Sequence, residues 1–162
     1  MTRPPFALLQ ATIQDLDEAL PVVREFYRHF QYPWDEPRKR GVLTRMMDQP
    51  EFGQLHLVRR QGSPVGYALL AFYLSLEFNG RVAILDEFYL LPDCRGHGLG
   101  RWILDTLTAR LAAEEVSVTR LEVDEHQPEA AGFYARCGFH REGRQLWSRA
   151  TALPLASVGT QP

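Results

Sequence analysis

The sequence predicts an α/β protein of three layers, in which a central mixed, mostly antiparallel sheet is flanked by helices. Runs of apolar residues typical of strands alternate with runs of helical periodicity. Asn79-Gly80 follows a long apolar run and favours a tight hairpin. A glycine-rich segment over 95–100 joins an apolar strand to an amphipathic helix. Together these patterns place the strands in one sheet and the helices on its faces.

The N-terminal half alternates between the two kinds of pattern up to the predicted hairpin. The run over 65–78 is apolar on both faces, as expected for a central strand, and we expect it to pair antiparallel with 81–91. The predicted elements are a strand over 6–13, a helix over 14–30 containing Pro21, a short helix over about 38–47, and strands over 54–60 and 65–78.

The C-terminal half begins with the helix that follows the glycine-rich segment and ends near Glu115. Its apolar positions Trp102, Ile103, Leu107 and Leu111 are predicted to face the core. A strand over 118–124 follows, and then a helix that starts at Pro128 and stops at Gly138. A last strand region over 139–149 and a loose tail over 153–162 complete the prediction.

Composition narrows the class of protein. The 162 residues, 45% apolar and 23% charged, fit a single domain over 1–162. A formal net charge of −2 gives no basic field for nucleic acid. The start resembles no signal peptide and the longest apolar stretch is too short to span a bilayer, so we expect a cytoplasmic protein with no membrane partner. Two cysteines and five isolated histidines predict neither a disulfide nor a metal site.

The segment Arg95-Gly96-His97-Gly98-Leu99-Gly100 has the composition of a phosphate-binding turn. It follows a strand and opens a helix, so its backbone N–H groups and the helix dipole would converge on one anion. Glycines keep Cβ atoms away from the phosphate oxygens, and Arg95 can add charge. The pattern differs from GxGxxG and from GxxxxGK[ST]. It predicts a pyrophosphate site, and a glycine-rich turn that binds nothing is the alternative.

Two stretches in register resemble the GNAT superfamily of N-acetyltransferases. The stretch 85–100 resembles motif A, in which [RQ]xxGx[GA] holds the CoA pyrophosphate, and 127–139 resembles motif B, NxxAxxFYxxxGF. The resemblance covers about 53–139. It implies transfer of an acetyl group from acetyl-CoA, without a metal, to a primary amine of a small molecule, peptide or protein, by direct attack in a ternary complex. Dimerisation is common in such folds, so a homodimer is a further expectation.

The same resemblance assigns the cosubstrate contacts. The strand would contact the acetyl and pantetheine part through Phe88, Tyr89 and Leu90, and motif B would contact the pantetheine through Gln127 and Ala130. Gln127 replaces the asparagine of many relatives, which alters or removes the side-chain hydrogen bond usually assigned there. The pyrophosphate would be held by Arg95, Gly96, His97, Gly98, Leu99, Gly100 and Arg101.

Acyl transfer to an amine needs a base, because deprotonating a lysine-like amine at pH 7 costs roughly 4–5 kcal/mol. We favour Glu87 as the base or as an acceptor-positioning group, with Asp86 and a water chain as alternatives. Strand alternation would place Glu87 on the face of Ala83, Leu85 and Tyr89, with Asp86 opposite. A carboxylate with a purely structural role is the competing interpretation.

A proton donor would help the thiolate to leave. The resemblance assigns this role to Tyr134, and simple aromatic core packing is the alternative. An acceptor site between the first helices and the sheet could use Tyr27, Tyr32, Trp34, Asp35 and Glu36, with Glu77 near the hairpin. Two other functions remain open at this stage, a non-catalytic GNAT-like acyl-CoA-binding module and a binder of another phosphorylated ligand.

Overall fold

A five-stranded sheet in the order β1-β2-β3-β4-β5 forms the middle layer of the structure, a computed structural model that describes residues 5–151. Strands β1 to β4 are antiparallel to their neighbours, and β5 runs parallel to β4. This confirms the mixed, mostly antiparallel sheet. The elements are β1 (Phe6–Gln10), α1 (Leu16–His29), α2 (Glu36–Asp48), β2 (Gly53–Arg60), β3 (Ser63–Ser75), β4 (Gly80–Leu90), α3 (Leu99–Ala113), β5 (Val116–Leu121) and α4 (Pro128–Arg136).

Two hydrophobic clusters lie on opposite faces of the sheet. One contains Leu8, Ala83 and Ile103 and lies against α3 and α4, and the other contains Leu20 and Leu55 and lies against α1 and α2. Burying one such side chain contributes about 1.5–3 kcal/mol, so both helical layers are held mainly by apolar burial. The central strand β3 supplies both clusters, because every residue over 65–70 is buried. The prediction of a strand apolar on both faces is confirmed.

The helix α3 follows its predicted apolar stripe with one difference. Ile103, Leu107 and Leu111 are buried, together with Leu104. Trp102, predicted to face the core, is only half-buried and packs at the cluster margin.

The hairpin between β3 and β4 has a longer connection than the sequence indicates. Strand β3 ends at Ser75 and β4 begins at Gly80, so four residues form the turn instead of the predicted pair Asn79-Gly80. Only Asn79 has a positive φ, of 52°, among the non-glycine residues of the turn. The Ser75 hydroxyl accepts a hydrogen bond from the Phe78 amide and closes the turn. The antiparallel pairing itself is confirmed.

The segment 139–149, predicted as a strand, is irregular. Its polar middle pairs with other elements through side chains: Glu142 accepts from Arg120 of β5, and Arg144 forms a bidentate pair with Glu77 of the β3–β4 turn. These ion pairs connect the segment to β5 and to the β3–β4 turn, and no backbone ladder is found for it among the described residues. The tail predicted over 153–162 lies outside the described residues, and over 5–151 no helix is long and apolar enough to cross a membrane.

Helix α4 ends as its sequence predicts. Gly138 has φ = 90°, and its amide donates to the Ala135 carbonyl, while the Phe139 amide donates to the Tyr134 carbonyl. This pair of bonds is a Schellman motif, which needs a left-handed residue at the position of Gly138. The predicted stop at this glycine is confirmed.

A buried histidine lies on the face of β2 that carries Val58 and points towards α3. The His56 Nε2 atom is 3.0 Å from the Gln54 Oε1 acceptor, so the neutral ring carries its proton on Nε2. Its Nδ1 atom is buried with no partner among the described residues. Burial lowers the pKa of His56 to about 4, and the Arg110 guanidinium adds to this shift. Protonating His56 in the folded state is therefore unfavourable.

This histidine predicts a pH-dependent stability. Between pH 6.5 and 4 the unfolded chain binds a proton at residue 56 and the folded chain does not, so the free energy of unfolding falls as the pH falls through this window. The loss reaches about 3 kcal/mol at pH 4. Urea unfolding at several pH values should show this slope in the wild type and a flatter one in His56→Gln. Exposed His140→Gln should keep the wild-type slope, and an equally steep slope in His56→Gln would contradict the assignment.

Candidate active site

The ladder between β4 and β5 stops before β4 ends. The last pair is Leu85 with Leu121, and β4 continues to Leu90 without a partner on that side. The backbone N–H and C=O groups of this free edge therefore face a gap between the two strands. An extended ligand could pair with such an edge as an additional strand would.

A one-residue bulge in β4 determines which side chains face the gap and the first helices. Leu69 of β3 pairs with Glu87 and Leu70 pairs with Leu85, so Asp86 is the extra residue. The bulge interrupts the alternation on which the sequence prediction relied. Glu87 therefore lies on the α1 face with Tyr89, opposite Ala83 and Leu85, and the predicted grouping with those two residues was wrong.

The Glu87 carboxylate is held by two phenols from two different elements. Tyr27 of α1 donates to Oε1 at 2.6 Å, and Tyr67 of β3 donates to Oε2 at 2.6 Å. Such short bonds are typical of a hydroxyl donating to an ionised oxygen. Each carboxylate oxygen keeps one further lone pair for a proton or a donor. Glu87 is thus oriented while both of its oxygens can still accept.

The electrostatics of this cluster show a desolvated but stabilised carboxylate. Burial raises the pKa of Glu87, the bonds from Tyr27 and Tyr67 lower it, and the Asp86 charge raises it. Burial and the Glu87 charge raise the pKa of both phenols, so they remain protonated donors at neutral pH. A carboxylate with a raised pKa is a better base than one in water.

Asp86 and Lys39 complete the charged groups beside Glu87. Asp86 is accessible to solvent at the bulge, yet the surrounding protein removes enough water to raise its pKa, and the Lys39 ammonium opposes this shift. Lys39 of α2 donates to the Tyr27 hydroxyl at 2.9 Å and lies 4.1 Å from the centre of the Tyr27 ring. The charges of both carboxylates raise the pKa of Tyr27 and Tyr67, so the bulge places both close enough to act on the same phenols electrostatically.

The acceptor-lining residues predicted from the sequence divide into two groups. Tyr27 contacts the rings of Tyr32 and Trp34 at centroid distances of 6.1 and 5.4 Å, so these three do lie together beside Glu87. The three acidic residues of the predicted set instead have structural roles. Asp35 caps α2 by accepting from the Arg38 amide, Glu36 lies 3.9 Å from Arg40 on the same helix, and Glu77 pairs with Arg144 at the distant hairpin turn.

The glycine loop presents an uncapped helix N-terminus. Gly96, His97 and Gly98 have φ values of 85°, 53° and 80°, and α3 begins directly after them. Gly98, the N-cap, has no side chain to bond the first amides, and over residues 5–151 no acceptor is found for the amides of Gly100 and Arg101. Cβ atoms built on Gly96 or Gly98 would have no neighbour within 4 Å. The geometry suits an anion at the positive end of the helix dipole.

The third glycine of the loop, Gly100, is needed for helix packing, which the sequence analysis did not predict. A Cβ on Gly100 would lie 3.0 Å from Phe133 Cζ of α4. Gly100 therefore permits α3 and α4 to pack closely, rather than only admitting a phosphate oxygen. Leu99 is buried in the core through its side chain, and its amide donates to the Gly96 carbonyl.

The two arginines predicted to bind pyrophosphate have protein partners here. The Arg95 Nε donates to the Leu90 carbonyl at 2.9 Å, and its guanidinium lies 5.2 Å from the Tyr89 ring centre. Arg101 donates to the Arg136 carbonyl at the end of α4. Both side chains lie beside the loop and are exposed to solvent, so their positive charge remains near the uncapped amides.

The remaining candidates lie on both sides of the free edge. Phe88 faces α3 and α4 and stacks with Phe133 at 6.3 Å, whereas Tyr89 is buried on the α1 face. Gln127 is the residue before α4 and makes no side-chain capping bond. Its carbonyl accepts from the Ala131 amide, and Ala130 in the first turn is half-buried.

Tyr134 lies in α4 on the face opposite the Glu87 cluster. Its ring contacts Phe133 and Phe139 at 5.2 and 5.8 Å, and no partner is found for its hydroxyl within the described residues. Burial raises the pKa of Tyr134 to about 12, with a contribution from Cys137, so the phenol is protonated at pH 7. It can donate a hydrogen bond without any change of ionisation.

The cysteines and the candidate metal ligands give the site no further chemistry. Cys94 and Cys137 are both free thiols, and burial raises the pKa of Cys94. A raised pKa disfavours the thiolate that nucleophilic catalysis requires. In the part of the chain that the structure describes, no three His, Cys, Asp or Glu side chains are grouped as metal ligands.

Known proteins share both the sequence pattern and the fold. The profile of the Acetyltransferase (GNAT) family matches residues 16–139, which is most of the chain and includes the glycine loop, β4 and α4. The chain belongs to the GNAT family of acetyltransferases. The resemblance stated from the two motifs is thereby confirmed.

Individual relatives of this GNAT protein agree with the family. Phosphinothricin N-acetyltransferase of Alcaligenes faecalis is 29% identical over 138 residues, covering 78% of this chain and 68% of that protein. An integron cassette protein from the mobile metagenome of Cole Harbour Salt Marsh superposes with a TM-score of 0.81 and 26% identity, over 92% of this chain and 93% of the other. An aminoglycoside acetyltransferase from an uncultured soil metagenomic sample, solved with sisomicin, has a TM-score of 0.76 and 11% identity, over 90% and 95% of the two chains, and shares the fold.

Two residues of the hydrogen-bonded cluster around Glu87, Tyr67 and Lys39, were absent from the sequence prediction. Tyr67 is a polar residue inside an otherwise apolar central strand, which is a signal that its hydroxyl needs a partner. Lys39 is the only lysine among 18 basic residues. These two features of the sequence single out Tyr67 and Lys39. Neither feature predicts a contact with Glu87, because the contacts join residues far apart in the chain.

The left-handed backbone of the loop predicts opposite effects of alanine at two glycines. Gly98→Ala should lower the free energy of unfolding by about 1 kcal/mol, because φ = 80° is unfavourable for a residue with a Cβ. Gly41→Ala, in the exposed interior of α2 with free space around it, should raise this free energy by up to about 1 kcal/mol. Denaturant unfolding measures both, and an unchanged stability in Gly98→Ala would contradict the loop conformation.

Proposed function

We propose that this protein transfers an acetyl group from acetyl-CoA to a primary amine, by direct attack of the amine in a ternary complex. The observation that carries the proposal is the position of Glu87. This desolvated carboxylate, held by two phenols, lies on the free edge of β4 just beyond the last β4–β5 pair. Acetyl-CoA supplies the acetyl group as a thioester.

The chain's own backbone is suited to hold the cosubstrate. The uncapped amides of Gly98, Gly100 and Arg101 would bind the pyrophosphate, with His97 keeping the left-handed turn and Arg95 adding charge. The free edge over 88–90 would pair with the amide groups of the pantetheine arm, and Gln127 and Ala130 would contact the arm from α4. These groups lie on either side of the gap between β4 and β5.

Glu87 acts as the general base in this proposal. It accepts the proton that the acceptor nitrogen loses as the nitrogen–carbon bond forms, through a lone pair that the phenols leave free. Tyr27 and Tyr67 hold the carboxylate in place during this transfer. Asp86, exposed at the bulge, attracts the ammonium form of the acceptor to the site.

Tyr134 acts as the proton donor to sulfur as the carbon–sulfur bond breaks. Its hydroxyl has no partner in the described residues and its pKa of about 12 keeps it protonated. The free edge of β4 lies between the Glu87 layer and the Tyr134 layer. Base and acid would therefore approach a ligand on that edge from opposite sides, each near a different reacting atom.

The acceptor class we propose is a small-molecule amine, with a peptide or protein amine as the alternative. The support is a cluster of aromatic rings with a carboxylate at its base, which suits a compact cation. The names of two proteins similar to this one refer to small-molecule acceptors, phosphinothricin and aminoglycosides. Phosphinothricin and sisomicin are therefore the first probes.

Cosubstrate binding is the first expected result. Titration calorimetry should give saturable binding of acetyl-CoA, and no comparable binding of ATP or NAD at equal concentration. Gly98→Glu should abolish it, because a carboxylate at the helix N-terminus repels the pyrophosphate and fills its space.

The matched control for this titration is Gly62→Glu, which places the same residue at another glycine of positive φ, in the β2–β3 turn. It should bind acetyl-CoA like the wild type. Circular dichroism confirms that each variant is folded. Equal binding of ATP would favour a general phosphate binder, and binding without acetyl transfer to any amine would favour an acyl-CoA-binding module.

The second expected result distinguishes the role of the base from that of the acid. The rate of acetyl transfer to phosphinothricin or sisomicin is measured from the release of the CoA thiol. Glu87→Gln should lower kcat/KM by about 10²–10⁴ while acetyl-CoA binding stays intact, and Tyr134→Phe should lower kcat. Exposed Glu36→Gln and Tyr73→Phe serve as the controls. Wild-type turnover in Tyr134→Phe would remove this residue from the mechanism.

A further inference from the structure

Lys39 is an unusual residue in this chain because the other 17 basic residues are arginines. It lies on α2 and is only half-buried, and its ammonium donates to the Tyr27 hydroxyl at 2.9 Å. That hydroxyl donates in turn to Glu87 at 2.6 Å. A continuous pair of hydrogen bonds thus joins the only lysine to the proposed base.

The direction of these bonds follows from chemistry. An ammonium can only donate, so the Tyr27 oxygen must accept from Lys39 and its single proton is left for Glu87. The ammonium also lies over the Tyr27 ring, with 4.1 Å from Nζ to the centre, which holds the ring and the cation together. Lys39 therefore fixes which atom of the pair donates.

Charge balance gives Lys39 a second effect. Glu87 and Asp86 are adjacent carboxylates, and the Asp86 charge raises the pKa of Glu87. The Lys39 ammonium lowers the pKa of both and so favours their ionised forms. The other titratable groups that act on this cluster are Tyr27 and Tyr32 from α1 and the following loop, and Tyr67 from β3. Lys39 is the cation among these groups.

We propose that Lys39 is a positioning residue for the base: its ammonium fixes the Tyr27 hydroxyl as a donor to Glu87 and balances the charge of the Glu87 and Asp86 pair. The inference rests on the proposed function insofar as Glu87 is the base. The Lys39 contacts themselves do not depend on it. A bulky guanidinium at this position would keep the charge, and an apolar residue would remove both effects.

The test measures the ionisation of Glu87 directly. Carbon-13 NMR of protein labelled at the glutamate side-chain carboxyl follows each group against pH, and the Glu87 signal is the one lost in Glu87→Gln. In Lys39→Met the pKa of Glu87 should rise by about one unit, as expected on losing an opposite charge at this range. Lys39→Arg should restore most of the wild-type value.

Two further variants decide how Lys39 acts. Arg38→Met removes the same charge from the same helix at an exposed position and should leave the Glu87 pKa unchanged. In a Tyr27→Phe background, Lys39→Met should shift the pKa less than it does in the wild type, because the bridging hydroxyl is gone. An equal shift in that background would overturn the role through Tyr27, and no shift in Lys39→Met would overturn the proposal as a whole.

The kinetic readout distinguishes this inference from the proposed function. With phosphinothricin or sisomicin as acceptor, the acidic limb of kcat/KM in Lys39→Met should move to higher pH together with the Glu87 pKa. If the wild type acetylates neither probe nor any other amine, the proposed function fails, while the NMR titration still decides the role of Lys39. A moved Glu87 pKa with an unmoved kinetic limb would show that Glu87 is not the base, and Lys39 would then not be a positioning residue for catalysis.

Discussion

A carboxylate buried between a sheet and a helix must be given donors, because the uncompensated cost of burying an ion is several kcal/mol even after the protein relaxes. Glu87 receives its donors from two elements, Tyr27 of α1 and Tyr67 of β3. Helix α1 must therefore lie close to the middle of the sheet. The Phe26 ring packs α1 against the sheet, because its centroid lies 6.1 Å from the Tyr67 ring centroid and 6.0 Å from that of Tyr89. The apolar contacts set the separation at which the two phenols reach one carboxylate.

The two faces of the sheet contribute different chemistry to the site. On the face of α3 and α4, the important groups are backbone amides at an uncapped helix start, so the identity of most side chains there matters less than the left-handed turn before the helix. On the face of α1 and α2, the important groups are side chains in a connected hydrogen-bond network. The free edge of β4 lies between them. Under the proposed function, such a division would let acceptor specificity change on one face while donor binding is preserved on the other.

Features that depend on local sequence were predicted well, and those that depend on distant contacts were not. The glycine loop, the stop at Gly138 and the antiparallel pairing at Asn79-Gly80 each follow from a few neighbouring residues. The hairpin turn was predicted too short because a side-chain bond from Ser75 closes a longer one. The segment 139–149 was predicted as a strand, but it is irregular, and its polar side chains form ion pairs with residues far away in the chain.

Tyr27, predicted among the residues lining the acceptor site, does lie beside the Glu87 carboxylate, but the predicted geometry around it was incomplete. Period-two alternation placed Glu87 correctly with Tyr89 but wrongly with Ala83 and Leu85, because nothing local in the sequence marks Asp86 as an extra residue. Tyr67 and Lys39 join Glu87 across wide sequence separations, which a pattern read along the chain does not reveal. The roles of Glu87 and Tyr134 remain the predictions that the kinetic variants address.

The bulge at Asp86 makes the site sensitive to the length of β4 rather than only to its composition. If β4 kept all its residues but formed a regular ladder here, alternation would turn the Glu87 carboxylate towards α3, even though every apolar side chain before it kept its place. A one-residue insertion or deletion elsewhere in this strand, which no bulge absorbs, would move every later side chain to the other face and should therefore be far more damaging than most substitutions. Strand length is thus a heritable property by which a sheet of this kind can gain or lose an active site in a single step.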